Sequence, residues 1–274
     1  LGRPGGSQAA RAVPGPDWGE QPWFKRLIVN ADGFGFTEGV NRGVCEAIRN
    51  GIVTSVSCNA NFPTIAELPE LVREFPKLSM GVHLNLNVGK PVLPPEEVPT
   101  LVDSEGRFLG RRLVRQLRLG RVRKSEIERK LDAQIRRMIE LDAKPPALRG
   151  RRRWAGRMAI HYLGHPRRLG RHAWCRAANA VARARGFKTA DHQISTGYLD
   201  DSGNHRLETW ISLLRHLPEG LSGTVWHPAY PDDTLRAHAT YVDQRRQELA
   251  VLTSAEVRTA VEENHVELVS YFDL

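Results

Sequence analysis

Three polar side chains stand where short apolar runs end. Asp32 follows Leu27-Ile28-Val29-Asn30-Ala31, His83 lies within Gly81-Val82-His83-Leu84-Asn85-Leu86, and His227 ends Gly223-Thr224-Val225-Trp226-His227. A carboxylate and two imidazoles brought to one mouth could hold a divalent ion that polarises a carbonyl and activates a water. One of them could instead take a proton from that water directly. Taken singly, each has a plainer explanation: Asp32 could cap a turn, His83 could be a satisfied core histidine, and His227 could hold a loop. Spacing alone does not select a reaction.

The elements around them alternate. The run 27–31 reads as a buried parallel strand that enters the turn Asp32-Gly33-Phe34-Gly35. Thr37 is a good N-cap for a helix to about Arg49, with Val40, Val44, Ala47 and Ile48 on one face and Gly51 at its end. Further strands are predicted at Ile52–Asn59, Gly81–Leu86, Gly223–His227 and Val266–Phe272. Helices are predicted near 64–75, 126–141, 173–185, 238–251 and 255–264. Ser125 with Glu128, and Thr253 with Glu256, are the expected caps, and Ile127, Leu131, Ile135 and Met138 recur at helical spacing. Pro231 with Asp232-Asp233 marks a loop. This order implies an α/β fold, a single irregular TIM-like (β/α) barrel with parallel strands and outer helices. Chemistry then belongs at the C-terminal ends of the strands.

Composition narrows the class. Of 274 residues, 41% are hydrophobic and 26% charged, as in ordinary globular proteins, and no run approaches the ~18 apolar residues of a membrane span. Residues 1–24 read as a disordered leader without an export signal, and 25–274 as one domain. Cys45, Cys58 and Cys175 are too few and too scattered for a disulfide framework, which suits a cytoplasmic setting. The net charge of +9 is local, because residues 149–185 hold eleven Arg and no Asp or Glu. The remainder carries 29 basic against 31 acidic residues, so nucleic acid is not an expected partner.

Several linked motifs, in order, resemble the YdjC/ChbG carbohydrate deacetylases. They are Leu27–Gly35, Gly39-Val40-Asn41-Arg42-Gly43, Gly51–Ser55, Gly81–Leu86 with Gly89-Lys90-Pro91, Asp191-His192 with Gly197, His227-Pro228-Ala229-Tyr230, and Arg245–Leu249. The resemblance covers about residues 26–144 and 186–274. It implies a hydrolase that removes N-acetyl groups from amino-sugar oligosaccharides with a divalent ion, usually Mg²⁺, with Zn²⁺ as the other candidate. It implies Asp32 as general base or metal ligand, His83 as metal ligand, and His227 as the group that orients or protonates the leaving amine. Asn85 and Tyr230, inside these motifs, are the expected substrate contacts. A homodimer stays open.

The sequence departs from the family twice. Where the family has two adjacent aspartates, this chain has Asp32-Gly33. After the run-in Lys144-Pro145-Pro146 the histidine-rich motif is missing, and an atypical Arg-rich segment, 147–171, takes its place. Lost motif and foreign composition coincide, so residues about 147–170 are expected to derive from a deletion, a frame change or a diverged insert. His161 and His165 stand four apart, but Gly164 and Pro166 oppose a helix there. Weak metal binding and impaired activity are therefore expected. The alternative is a non-catalytic sugar-binding relative.

Overall fold

The structure is a computed structural model that describes residues 25–141, 183–184, 189–194 and 206–274. The leader 1–24, the run-in 144–146, the Arg-rich segment 147–171, His161, His165, Cys175, Gly197 and most of the helix expected near 173–185 lie outside the described residues.

The chain runs through β1 (Lys25–Phe34), α1 (Glu38–Arg49), β2 (Ser55–Cys58), α2 (Leu68–Glu74), β3 (Ser79–Val82), α3 (Arg112–Arg118) and α4 (Lys124–Glu140). It continues with β4 (His192–Ile194), α5 (Leu207–Arg215), β5 (Gly220–Trp226), α6 (Asp233–His238), α7 (Asp243–Thr253), α8 (Ala255–Glu263) and β6 (Val266–Leu268). Among the described residues every strand pairing is parallel, in the order β3-β2-β1-β5-β4, with β6 on the first residues of β1. This is the expected α/β architecture, a parallel sheet with helices around it. Among the described residues no helix is long and apolar enough to cross a membrane.

Side chains alternate across a strand, so β1 serves two environments. Leu27, Val29 and Ala31 enter the main core with Val40, Val44 and Ala47 of α1 and Leu249 and Leu252 of α7. Ile28 faces the other way, into a small cluster with Ala190, Leu221 and Val269. Further along that second face come Asn30 and Asp32. By register Asn30 lies beside Ser55, and Asp32 beside Ser57. The Asn30 amide donates to Ser57 Oγ at 3.1 Å. The inner face is thus apolar at the start of the strand and polar at its end.

Element boundaries shift from those expected, for local reasons. β3 stops at Val82, before His83, because the Asn85 side chain accepts from the backbone of Asn87 and Val88 at 3.0 Å each and turns the chain. β6 ends at Leu268 because Ser270 and Asp273 close a turn. The Ser125–Glu128 capping box does not form, and the first turn of α4 has no side-chain cap. Its inward residue, Glu126, accepts instead from the backbone and hydroxyl of Thr100, both at 2.8 Å. The cap of α8 is Ser254, whose Oγ accepts from Val257 N at 3.2 Å, while Thr253 turns back to Leu249 O. Asp232 caps a helix, α6, where a loop was expected. The N-cap role of Thr37 is found as expected.

Helix α1 lies against the chain beyond β5 with no room to spare. A Cβ on Gly43 would stand 2.4 Å from Ala229 Cα, and the nearest atoms are all backbone. Alanine would gain about 1 kcal/mol in helix propensity, but a clash with backbone cannot relax by side-chain rotation. Gly43→Ala should therefore lose roughly 2–3 kcal/mol net. Urea denaturation checks this, and an unchanged or higher midpoint would contradict it.

Candidate functional site

The three chemical residues emerge from one rule of strand geometry. Ala31, Val82 and Trp226 each point into the main core beneath the helices. The next residue in each case points to the opposite face, and those residues are Asp32, His83 and His227. The strands are parallel, with β5 directly beside β1 and β3 on the other side beyond β2, and the three side chains meet at one end of the sheet.

Asp32 stands between the imidazoles. Its Oδ1 is in contact with Nδ1 of His83, and its Oδ2 is 3.8 Å from Nε2 of His227. All three side chains are only 12–13% exposed. Burial works against a charged His83, yet the Asp32 charge and hydrogen bond outweigh it and raise its pKa above the usual value. His83 is also fixed through its backbone, where its N–H donates to Cys58 O at 2.7 Å. Gly33 follows Asp32 at φ 119°, and the β1–β2 register slips by one residue there. Such a bulge re-aims the strand just past the carboxylate. The family's second aspartate would have to adopt a backbone conformation that L side chains rarely take.

His227 is braced from α7. Its backbone N–H donates to a carboxylate oxygen of Glu248, whose other oxygen accepts from the Tyr241 hydroxyl at 2.5 Å. Arg245 Nε donates to Tyr241 O at 2.8 Å, and Arg245 O accepts from Ala229 N at 3.3 Å. Burial raises the Glu248 carboxyl above its ordinary range, opposed by the Tyr241 hydroxyl, the His227 N–H and Arg245. The motif Arg245–Leu249 marked this stretch in the sequence, but nothing in it showed that Glu248 reaches His227.

The other expected site residues are placed differently. Asn85 is buried, and its amide is committed to Asn61 Oδ1, Val88 O and the backbone of 87–88. It organises the loop behind His83. Tyr230 packs under the Arg42 guanidinium, 5.7 Å from the ring centroid, with its N–H on Gly39 O. That contact belongs to α1 and not to the Asp32 group. His192 lies beside Ser222 near the start of β5, and its Nε2 meets Glu219 O at 3.1 Å, at the opposite end of the sheet.

The donor set bears on a metal ion. Among the described residues no group of three His, Cys, Asp or Glu side chains is arranged to hold one. Asp32 and His83 are the nearest approach to a pair of ligands, and they are in contact with each other. The described residues therefore do not fit the tight divalent site that the resemblance implied. Beside them sits another oddity. Lys130 of α4 is fully buried, its Nζ has no hydrogen-bond partner among the described residues, and it lies 4.7 Å over the Phe108 ring. It is near enough that its charge would oppose a charged His83.

Fold and cluster together define an α/β protein with a buried carboxylate–imidazole group at the C-terminal end of a parallel sheet. The family described as YdjC-like protein matches residues 26–148 and 146–263, and the chain belongs to it. The two matched stretches meet where the histidine-rich motif is missing. A carbohydrate deacetylase of Thermoanaerobacter pseudethanolicus is 34% identical over 252 residues, 90% of this chain and 98% of that one. A carbohydrate deacetylase of Geobacillus stearothermophilus is 32% identical over 89% and 96%. A crystal structure of an Enterococcus faecalis protein described as a cellobiose-phosphate cleavage protein superposes with a TM-score of 0.73 at 28% identity, covering 92% of this chain and 99% of that one.

Lys130 yields a stability prediction. Burial drives its pKa well below the ordinary value, so folding disfavours its proton relative to the unfolded chain. The cost is absent above the unfolded pKa of ~10.4 and grows as pH falls toward the depressed folded value. Lys130→Met should stabilise the fold by about 1–3 kcal/mol at pH 7, with the advantage shrinking toward pH 10. Denaturation midpoints of both proteins at the two pH values check this. A variant less stable than the parent at pH 7 would show that the amine is paired.

Proposed function

We propose that this chain hydrolyses the N-acetyl group of amino-sugar oligosaccharides, releasing acetate and a free amine, at low turnover. The observation that supports it most is the placing of Asp32 between two imidazoles at the same end of one parallel sheet, in a chain whose relatives are named carbohydrate deacetylases.

The chemistry asks for three things: a deprotonated water, stabilisation of the carbonyl oxygen, and a proton for the departing nitrogen. Asp32 is the base. It is in contact with His83, whose pKa it raises, and it accepts the proton of the attacking water. His227 is the acid. Its Nε2 stands 3.8 Å from Asp32 Oδ2, and it donates to the amine as the C–N bond breaks. Glu248 holds the backbone of His227 and so positions that imidazole. Carbonyl stabilisation is the weak point. Among the described residues, Asp32 and His83 are too few donors for a tightly held Mg²⁺ or Zn²⁺, and this is the basis for proposing slow turnover. A cytoplasmic location is part of the same proposal.

The direct contact of Asp32 with His83 also suits a second reading, a relative that binds sugars without hydrolysing them. Acetate release from N-acetylated chitooligosaccharides separates the two. The parent chain should release acetate slowly, and Asp32→Asn should lower the rate by about 10²–10⁴-fold without changing the melting temperature by more than a few degrees. If the two proteins release acetate equally, Asp32 is not the base. If neither releases any while the parent still binds the sugar, the binding reading stands.

A further inference from the structure

Outside residues 149–185 basic and acidic side chains nearly balance, yet they are not evenly spread. Residues 106–124 hold eight Arg and Lys and no Asp or Glu. All eight side chains are exposed. Four of them meet an acidic partner: Arg107 with Glu105, Arg112 with Asp103, Arg123 with Glu126, and Lys124 with Glu128, at 3.3–3.5 Å. Arg111, Arg115, Arg118 and Arg121 have no acidic partner among the described residues. Like charges left this close repel one another, so the fold tolerates them at a cost that an anionic partner would remove.

Helix α3 sorts these residues by face. At about 100° per residue, Arg111, Arg112, Arg115, Arg118 and Leu119 fall within an arc of about 120°. Leu113 and Leu117 lie opposite and pack into a small core with Val98, Leu101 and Phe108. The helix is thus docked on the protein and shows one basic face to water. Leu119, at the end of that face, is 51% exposed, the most of any large apolar side chain among the described residues. It is held there by a defined turn. Gly120 N–H donates to Leu117 O and Arg121 N–H to Gln116 O, both at 3.0 Å, with Gly120 at φ 66°. These two bonds close a Schellman cap, in which the residue after the glycine commonly packs back on the helix as an apolar contact. Here that place is taken by exposed Arg121. A Cβ on Gly120 would meet nothing within 4 Å, so the cap projects into water.

An exposed leucine fixed among unpaired arginines suits a surface that is anionic outside and apolar beneath, which is the character of an anionic bilayer. Nucleic acid is disfavoured, because residues 109–124 hold no aromatic ring on which a base could stack and Phe108 is buried. We propose that the exposed face of α3 and its cap dock on membranes rich in anionic lipid, with Arg111, Arg115, Arg118 and Arg121 among the headgroups and Leu119 inserted beneath them. The contact lies in the plane of the interface and spans nothing. It stands independently of the deacetylase reading.

The test is flotation of the full chain with vesicles of phosphatidylcholine alone, or of phosphatidylcholine with about 30% phosphatidylserine. The protein should float with the anionic vesicles only, and should be released as salt rises from about 0.1 M to about 0.5 M. Arg115→Gln combined with Arg118→Gln should weaken partitioning roughly 30-fold, at about fivefold per cation near the surface. Leu119→Ser should weaken it about 5–10-fold. Arg73→Gln combined with Lys77→Gln removes the same charge from exposed positions elsewhere and should float like the parent. Every substituted side chain is exposed, and thermal melting checks the fold of each variant. The proposal is overturned if the parent does not float, if the α3 arginine or Leu119 variants float as well as the parent, or if the Arg73 and Lys77 control loses as much. Binding of poly(U) that depends on Arg115 and Arg118, without flotation, would overturn it in favour of a nucleic-acid surface.

Discussion

A carboxylate withdrawn from water at the end of a parallel sheet must find compensation, and most of the site's construction answers that need. Asp32 finds it in two imidazoles, one following the neighbouring strand β5 and one following β3 beyond β2. The pairing works in both directions, because the carboxylate raises the pKa of a buried histidine that burial alone would lower. The Gly33 bulge turns the chain immediately after the carboxylate, and the Cys58 carbonyl takes the His83 N–H. A carboxylate left unpaired in such a setting would protonate, and the polar end of the inner face would lose its reason for being polar.

The helices that close over this end contribute polar groups in an unusual way. The most deeply buried residues of α4 are Glu126, Lys130, Gln134 and Met138, spaced one turn apart. Glu126 holds Thr100, and Gln134 Oε1 accepts from Asn85 N at 3.1 Å while its amide lies 3.3 Å from Asn85 O. These two positions stitch long loops to the helix. Lys130, between them, has no such partner, so one face of a single helix carries both satisfied and unsatisfied polar burial. On the other side, α7 supplies Glu248 and Arg245 to brace the segment after β5. The loops that carry His83 and His227 are thus held from two different helices, which is how flexible connections come to present fixed side chains.

The strand-and-helix order was legible in the sequence because apolar runs and helical spacing are local signals. So were Thr37 as a cap and the three chemical residues, since each directly follows an apolar core position, Ala31, Val82 or Trp226. Motif order carried the family. α3, α5, α6 and β4 are not among the elements predicted from the sequence, although Leu207, Trp210, Ile211 and Leu214 of α5 stand at helical spacing. Of the predicted apolar stripe Met138 is buried, but Ile127, Leu131 and Ile135 are only partly so, because the long segment after β3 covers α4 on its polar side and shifts the buried face toward Glu126 and Gln134. The expected contact roles of Asn85 and Tyr230 came from motif membership alone. A motif residue can be kept to shape a loop as readily as to touch a ligand, and Asn85 with its amide fully committed does the former.

What the amino-acid order determined alone is therefore what depends on near neighbours: the alternation that turns Asp32, His83 and His227 away from the core, the glycine that permits φ 119° after the carboxylate, and the caps set by Thr37 and Ser254. Only the tertiary structure decided which distant groups meet. Asp32 and His83 are 51 residues apart, and His227 and Glu248 are 21 apart. No local pattern encodes such distances, because they are set by strand register and by the helices packed against the sheet.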